Sequence, residues 1–261
     1  MSFPPVAITG LGLWVEGFPN TVAWRGGSAD PAATKPAGQA LDKVNRRRAG
    51  PLGRGLADVI AEAVAMAGVD AATVPTVIGS AIGEASTMTG LLDAMWRHGL
   101  PMSPAEFTVS VHNAAAGLIS ISNKNRGMTT SLAADDDTPA AALLEAIGLV
   151  VTRDAAVVVA CADEPAPPTL AQVAPPWALL AAAVVLEPLR PERPALAALT
   201  LEPQAVSAYR GERFGELLRS NPQIGLGWLV DAVLHGHRGA VPLDRGTGRG
   251  YAAVLAPGSM P

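Results

Sequence analysis

Residues Ala155-Ala-Val-Val-Val-Ala160 are apolar at every position, so a strand formed here has no polar face to offer to water. Such a strand must be covered on both sides, as in a parallel sheet packed between helices. The surrounding chain supplies the cover. Val6-Ala-Ile-Thr-Gly-Leu-Gly-Leu13 reads as a first buried strand ending in a glycine turn, and Thr76 to Ile82 as a second, with Gly79 and Gly83 allowing close backbone approach. Leu56, Val59, Ile60, Ala63, Val64 and Ala67 recur at helical spacing, and Gly68 caps the helix they define. Further helices are expected over Thr89–His98, Asn113–Ser122, Thr138–Val151 and Gly225–Leu234. Further strands are expected over Thr129–Ala134, Ala181–Leu186, Ala195–Leu201 and Tyr251–Leu255. Residues 25–52 read as an irregular surface segment and Pro165 to Pro176 as a loop. Strands alternating with helices predict an α/β fold, here a single domain with helices packed on a mixed, mostly parallel sheet.

Aromatic residues make up only 4% of a chain that is 49% hydrophobic, so Ala, Val and Leu must fill the core. A net charge of -4 argues against an electrostatic nucleic-acid binder. The single cysteine, Cys161, excludes an intramolecular disulfide and a cysteine-based metal cluster. Gly10, Gly12 and Gly17 do not match the spacing of a dinucleotide-binding turn, and no cofactor is expected. The longest apolar run, Trp177 to Leu186, falls well short of the roughly 20 residues that cross a bilayer. No charged start is followed by an apolar run. The expectation is a soluble cytoplasmic protein with no membrane span. Arg46-Arg47-Arg48 is the one dense basic patch; it reads as a solvated loop, or as a docking point for an acidic partner.

The stretch from Met128 to Ala146 reads as strand, tight turn and helix. Many acyl-transfer enzymes hold their nucleophile at such a turn. Here the turn carries no Ser or Cys but three carboxylates, Asp135-Asp136-Asp137. Helix capping accounts for them: carboxylates accept orphan N–H bonds at a helix start, and Pro139 suits its first turn. Two site readings compete. A Mg²⁺ ion would need further acidic ligands, and no other acidic cluster has matching spacing, so no metal is expected. General acid–base work by Asp135 with His112, which lies just before the Asn113 helix, requires the fold to bring the two together.

Several segments, in order, resemble one family. Val6-Ala-Ile-Thr-Gly-Leu-Gly is similar to the opening strand of β-ketoacyl synthases, which have the thiolase fold. Arg54 to Asp70 resembles their helix ending "DAG-[LI]-D", and Val77-Ile-Gly-Ser-Ala-Ile-Gly-Glu84 their second strand. Ser103-Pro104 with Asn113-Ala-Ala-Ala-Gly-Leu-Ile-Ser-Ile121 resembles the stretch before the nucleophile strand. Ala156-Val-Val-Val-Ala-Cys-Ala-Asp-Glu164 resembles the strand ending "AGG-[TA]-E". The resemblance implies a thiolase-like layered fold, with residues 5–205 matching the family's N-terminal half and 206–261 a reduced C-terminal remnant. Asn221-Pro-Gln-Ile-Gly-Leu-Gly-Trp228 faintly resembles a late glycine-rich helix without its histidine. Asp244-Arg-Gly-Thr-Gly-Arg-Gly-Tyr251 faintly resembles the closing glycine-rich turn.

By this alignment Asp135 stands where the family has its thioester-forming cysteine. Cys161 lies on a different strand and reads as a small buried hydrophobe. His98, His112, His235 and His237 match none of the family's catalytic histidines. Ketosynthases pair across the strand before the nucleophile turn. The resemblance therefore implies a non-catalytic subunit of the chain-length-factor type, as found beside ketosynthases of aryl polyene and related pigment pathways. It would pair with an active β-ketoacyl-acyl-carrier-protein synthase through Asn113, Thr129, Thr130, Ser131 and Leu132, and Arg46, Arg47 and Arg48 would meet the acyl carrier protein. Two alternatives stay open: a small acyl-thioester hydrolase or decarboxylase using Asp135 and His112, and a homodimeric acyl-carrier-protein-binding module.

Overall fold

A computed structural model describes residues 3–172, 175–203, 209–244 and 250–258. One eight-stranded sheet runs through it. Strand β1 (Val6–Val15) enters first, followed by helices α1 (Thr21–Gly26), α2 (Lys43–Arg48) and α3 (Pro51–Ala67). Strand β2 (Thr76–Gly79), helices α4 (Ala85–His98), α5 (Pro104–Phe107) and α6 (Ala114–Ser122), strand β3 (Thr129–Leu132) and helix α7 (Thr138–Arg153) come next. Strands β4 (Val157–Asp163), β5 (Leu180–Pro188) and β6 (Ala197–Pro203) follow. Helices α8 (Glu216–Arg219) and α9 (Ile224–Leu234) and strands β7 (Gly239–Pro242) and β8 (Tyr251–Ala256) complete the order. The strands lie side by side as β3-β2-β4-β5-β1-β6-β8-β7.

The layered α/β class holds, but the sheet is not mostly parallel. Only β2–β3 and β2–β4 run parallel, and the other five pairings are antiparallel. The error has a physical source. An apolar strand such as β4 demands cover on both faces, and that demand is the same whichever way its neighbours run. β4 is fully buried while pairing parallel to β2 and antiparallel to β5.

The cover is two helical layers. On one face α3 and α6 pack Leu52, Leu56, Ile60, Ala115 and Ile119 against Trp14, Ile78 and Val158. On the other, α7 and α9 pack Leu143, Ile147, Leu226 and Leu229 against Leu11, Val77 and Val159. The contact between α3 and β1 is set by two glycines. Gly10 and Gly12 do not end the strand in a turn; they lie inside it. A Cβ at Gly10 would stand 2.1 Å from the Ala63 carbonyl oxygen, and one at Gly12 2.1 Å from that of Val59.

Other boundaries shift for local reasons. The segment read as irregular takes in the end of α1 and the whole of α2, the latter capped by the Asp42 carboxylate accepting the N–H groups of Val44 and Asn45. Helix α3 begins five residues before Leu56 because Pro51 starts it and Leu52, Gly53 and Gly55 are already buried. Strand β2 stops at Gly79, and β3 ends two residues short of Ala134. Strand β7 was not anticipated. Among the described residues no helix is long and apolar enough to cross a membrane.

Glycine substitutions should separate packing from propensity. Gly12→Ala forces backbone against backbone and is expected to destabilise by about 3 kcal/mol. Gly148→Ala, on an exposed position of α7 where a Cβ meets nothing, should stabilise by up to about 1 kcal/mol. Urea midpoints of the two variants read both effects.

Candidate functional site

The ends of β2 and β4 converge on one carboxylate. Asp163, the last residue of β4, is 0% exposed. Its oxygens accept hydrogen bonds from Ser80 Oγ at 2.6 Å, the Ala81 N–H at 2.9 Å, the Ile82 N–H at 3.3 Å and Gln223 Nε2 at 2.6 Å. The chain leaves β2 early because Ser80 to Ile82 wrap around this group. Asn221 Nδ2 donates to the Asp163 carbonyl at 3.0 Å and to that of Ala178 at 2.9 Å, fixing the entry to α9. Burial pushes the Asp163 carboxyl above the usual range, and the four donors pull against that shift.

The acidic turn sits nearby, between β3 and α7. Asp135–Asp137 form one 3₁₀ turn, and Asp135 has φ +50°, a left-handed conformation uncommon outside glycine. The carboxylates do not cap the helix. Neither the turn nor α7 has a side-chain cap bond. The buried hydroxyl of Thr138 ties the turn instead: it accepts from the Ala134 N–H at 2.9 Å and donates to the Asp135 carbonyl at 2.7 Å. Asp135 and Asp137 stay exposed. Asp137 lies against the glycine-rich turn, where a Cβ on Gly250 would stand 2.6 Å from its Oδ1; residues 245–249 of that turn lie outside the described residues.

His112 is engaged elsewhere. Its Nε2 lies 2.8 Å from the Ser80 carbonyl oxygen, and its ring packs on Gly83, which has φ +57°. Among the described residues no hydrogen bond joins His112 to Asp135. Cys161 is fully buried, its sulfur beside the space over Gly79, and burial with the neighbouring Asp163 charge pushes its thiol far above the ordinary range. The structure does bring His112 together with Asn113, Thr129, Thr130 and Ser131. With Ala116, Gly117 and Ser120 they line an open groove of about 600 Å³ between α6 and β3. Leu132 continues β3 just beyond it. Among the described residues, strand β3 is an outermost strand, hydrogen-bonded to β2 on one side only.

Arg46, Arg47 and Arg48 form the last turn of α2 rather than a loop. Arg47 and Arg48 are exposed, and Arg48 Nη2 donates to Thr108 Oγ1 at 2.9 Å. Asn45 Nδ2 donates to Ser122 Oγ at 3.1 Å, which anchors this turn to α6. Among the described residues no group of three His, Cys, Asp or Glu side chains could hold a metal ion.

Two acids escape pattern analysis. Glu84, 4% exposed, places its carboxyl beside Gly50 and Gly53 at the start of α3, with no hydrogen-bond partner among the described residues. Glu164, next to Asp163, is also buried. Burial first, and the Glu164 charge second, push the Glu84 carboxyl up to about 7. The only sequence signal was position: Glu164 directly follows β4, and Glu84 directly precedes α4.

In the unfolded chain Glu84 titrates near 4.5, and in the folded protein near 7. Between those values the folded form keeps a proton that the unfolded form has lost, so its contribution to stability is full below about 4.5 and is lost as pH rises through 7. The expected loss is about 3 kcal/mol. Glu84→Gln should flatten this part of the pH–stability profile and raise stability at pH above about 8. Denaturant titrations of both proteins across that range check it.

The family model described as the β-ketoacyl synthase N-terminal domain matches residues 22–224. No curated protein matches the chain. Among solved structures, the fold resembles that of a ketosynthase (ApeO) in complex with its chain length factor (ApeC) from Xenorhabdus doucetiae. That match has a TM-score of 0.70 and 20% identity over 97% of this chain and 99% of that one. It also resembles the ishigamide ketosynthase/chain length factor, with a TM-score of 0.61 and 18% identity over 77% and 68% of the two chains. A third is a type II polyketide synthase acyl-carrier protein in complex with its ketosynthase bound to the hexaketide (AntDE:AntF), with a TM-score of 0.70 and 12% identity over 96% and 98%.

Proposed function

The chain belongs to the family of the β-ketoacyl synthase N-terminal domain, and from that premise we propose that it is a non-catalytic, chain-length-factor-type subunit of an active β-ketoacyl-acyl-carrier-protein synthase. The observation that carries this reading is the turn between β3 and α7. It keeps the strand–turn–helix shape and a residue in left-handed conformation at its apex, but that residue is Asp135. A carboxylate is a poor acyl-transfer nucleophile, and the mixed anhydride it would form hydrolyses. Cys161 offers no replacement, because it is buried on another strand and burial keeps its thiol protonated.

The pairing half of the proposal draws support from the sheet. β3 presents an open edge, and Asn113, Thr129, Thr130 and Ser131 line the groove beside it. An edge of this kind accepts a strand from another chain. Two of the similar folds belong to complexes of a ketosynthase with a chain length factor, and the first of those chains is covered almost end to end. In this reading residues 206–261 are the reduced second half, represented by α8, α9, β7 and β8. Arg46 to Arg48 meet the acidic acyl carrier protein, and the complex works in the cytoplasm on a fatty-acid- or polyketide-type chain such as an aryl polyene. The acid–base alternative finds no added support, since His112 is committed to the Ser80 carbonyl.

Co-expression with a ketosynthase encoded beside it should yield a stable heterodimer. Gly117→Trp should abolish that complex while leaving the fold intact, because Gly117 lines the groove and a Cβ there meets no atom within 4 Å. Changing the partner's nucleophilic cysteine to alanine should remove all product formation by the complex. Turnover by that complex, or an acyl group found by intact mass on this chain, would instead make the subunit an enzyme.

A further inference from the structure

Strand β1 loses one neighbour partway along. Among the described residues β6 pairs with it only at Val6, Ala7 and Ile8, so at Leu11 β1 has no strand on that side. An open cavity of about 540 Å³ lies there. Its apolar lining comes from four elements: Leu11 from β1, Met66 from the last turn of α3, Leu196 from the approach to β6, and Val233 and Leu234 from the end of α9. Leu196 is held in place by its N–H, which donates to the Ile8 carbonyl at 2.8 Å. Met66 is 43% and Leu196 41% exposed, so the chain leaves two large apolar side chains uncovered at one cavity. The volume falls within that of small-molecule clefts, roughly 300–1,000 Å³.

The polar part of the lining is cationic. Arg25, His235 and Arg238 face this cavity, and no acid lines it. Both arginines are exposed, and among the described residues neither has an ion-pair partner. His235 is fixed from behind. Its Nδ1 lies 2.9 Å from the Asp231 carbonyl oxygen and 3.1 Å from Asp231 Oδ1. Asp231 is itself buried and accepts from Trp24 Nε1 at 2.7 Å and from the Tyr209 hydroxyl at 2.6 Å. Arg213 donates to the carbonyls of Trp24 and Arg25, which ties down the end of α1 that carries Arg25.

An apolar floor with a cationic rim fits an amphipathic anion. Guanidinium groups match a carboxylate with paired, charge-assisted N–H donors. The helix ends decide between head groups. α1 and α9 both end at the cavity, and a helix C-terminus carries up to roughly half a unit of negative charge. That charge opposes a doubly charged phosphate more than a singly charged carboxylate.

We propose that this cavity binds an aliphatic carboxylate, with its tail over Leu11, Met66 and Leu196 and its head at Arg25, Arg238 and His235. β1 lies four places from β3 in the sheet, about 20 Å at the usual strand spacing, so the site is separate from the groove beside β3. The inference does not rest on the proposed pairing with a ketosynthase.

Calorimetric titration of the full chain with decanoate, below its micelle concentration, tests it. One molecule should bind per chain, more weakly at high salt. Decanol, which lacks the charge, and acetate, which lacks the tail, should each bind at least about tenfold more weakly. Arg25→Glu/Arg238→Glu should raise the decanoate dissociation constant at least about tenfold, and Arg25→Lys/Arg238→Lys should keep most of the affinity. Leu196→Glu, at a half-exposed position, should abolish binding by setting a carboxylate on the apolar floor, and it decides the matter should the charge reversal fail to fold. Gly117→Trp, in the groove beside β3, should leave decanoate binding unchanged. Decanol binding as tightly as decanoate, or undiminished decanoate binding by folded Arg25→Glu/Arg238→Glu or Leu196→Glu, overturns the proposal. Loss of binding in Gly117→Trp moves the ligand to the β3 groove and overturns it as well. A chain that binds decanoate as expected but captures no ketosynthase supports this site and counts against the proposed function, and the reverse result does the opposite.

Discussion

A buried carboxylate needs donors on every side, and Asp163 obtains them from two other parts of the chain. Ser80, Ala81 and Ile82 come from the turn after β2, Asp163 itself ends β4, and Gln223 comes from the entry to α9. Removing one partner of a buried charge costs several kcal/mol because the charge stays behind without compensation. The turn after β2, the end of β4 and the start of α9 are therefore held as one unit. Ser80 extends that unit outward: its hydroxyl serves Asp163 while its carbonyl receives His112, at the start of the groove beside β3. The residues after 206 are thus not an appendage. Without Gln223 the buried acid would lose one of its four donors, without Asn221 the Asp163 carbonyl would lose its side-chain partner, and without α9 much of one face of β1 and β5 would lose its cover.

The elements that came through in the sequence are those whose side chains meet a continuous apolar layer. Helix α3 and strand β4 declare themselves because every turn or every residue faces the core. Strand direction leaves no such mark, which is why the sheet was taken as mostly parallel. Gly10 and Gly12 show the opposite ambiguity. Glycine signals either a turn or a close approach, and only the position of α3 decides between them. The site was less legible still. Three aspartates before a proline look like a helix cap, yet Thr138 performs the local bonding with a single hydroxyl. Asp163 and Glu84 carried no mark of burial in the sequence, because burial of an acid depends on what folds over it rather than on its neighbours in sequence.

The turn after β3 is shaped by the packing beneath it. Asp135 sits at φ +50°, a conformation costing on the order of 1 kcal/mol or more for a residue with a Cβ, though Asp tolerates it better than most. That geometry is needed to reverse the chain from β3 into α7 within a few residues. Thr138, Gly79 and Cys161 meet beneath it, so the start of α7 packs directly on β2 and β4. The shape of the turn thus follows from packing between strand and helix. It keeps β3 fixed at the rim of the sheet.

The two rims of that sheet differ in a way that decides what kind of assembly the fold permits. At the far end, β7 is four residues long, begins at Gly239 with φ +108° and ends at Pro242, which has no N–H to offer. Such features blunt an edge against added strands. β3 has no proline, keeps polar threonines and serine half-exposed, and is bordered by unpaired charges. One open rim and one blunted rim cannot propagate a sheet from molecule to molecule. They allow a single added chain, which closes the edge and ends growth. A subunit built this way can offer its one open rim to a single added chain.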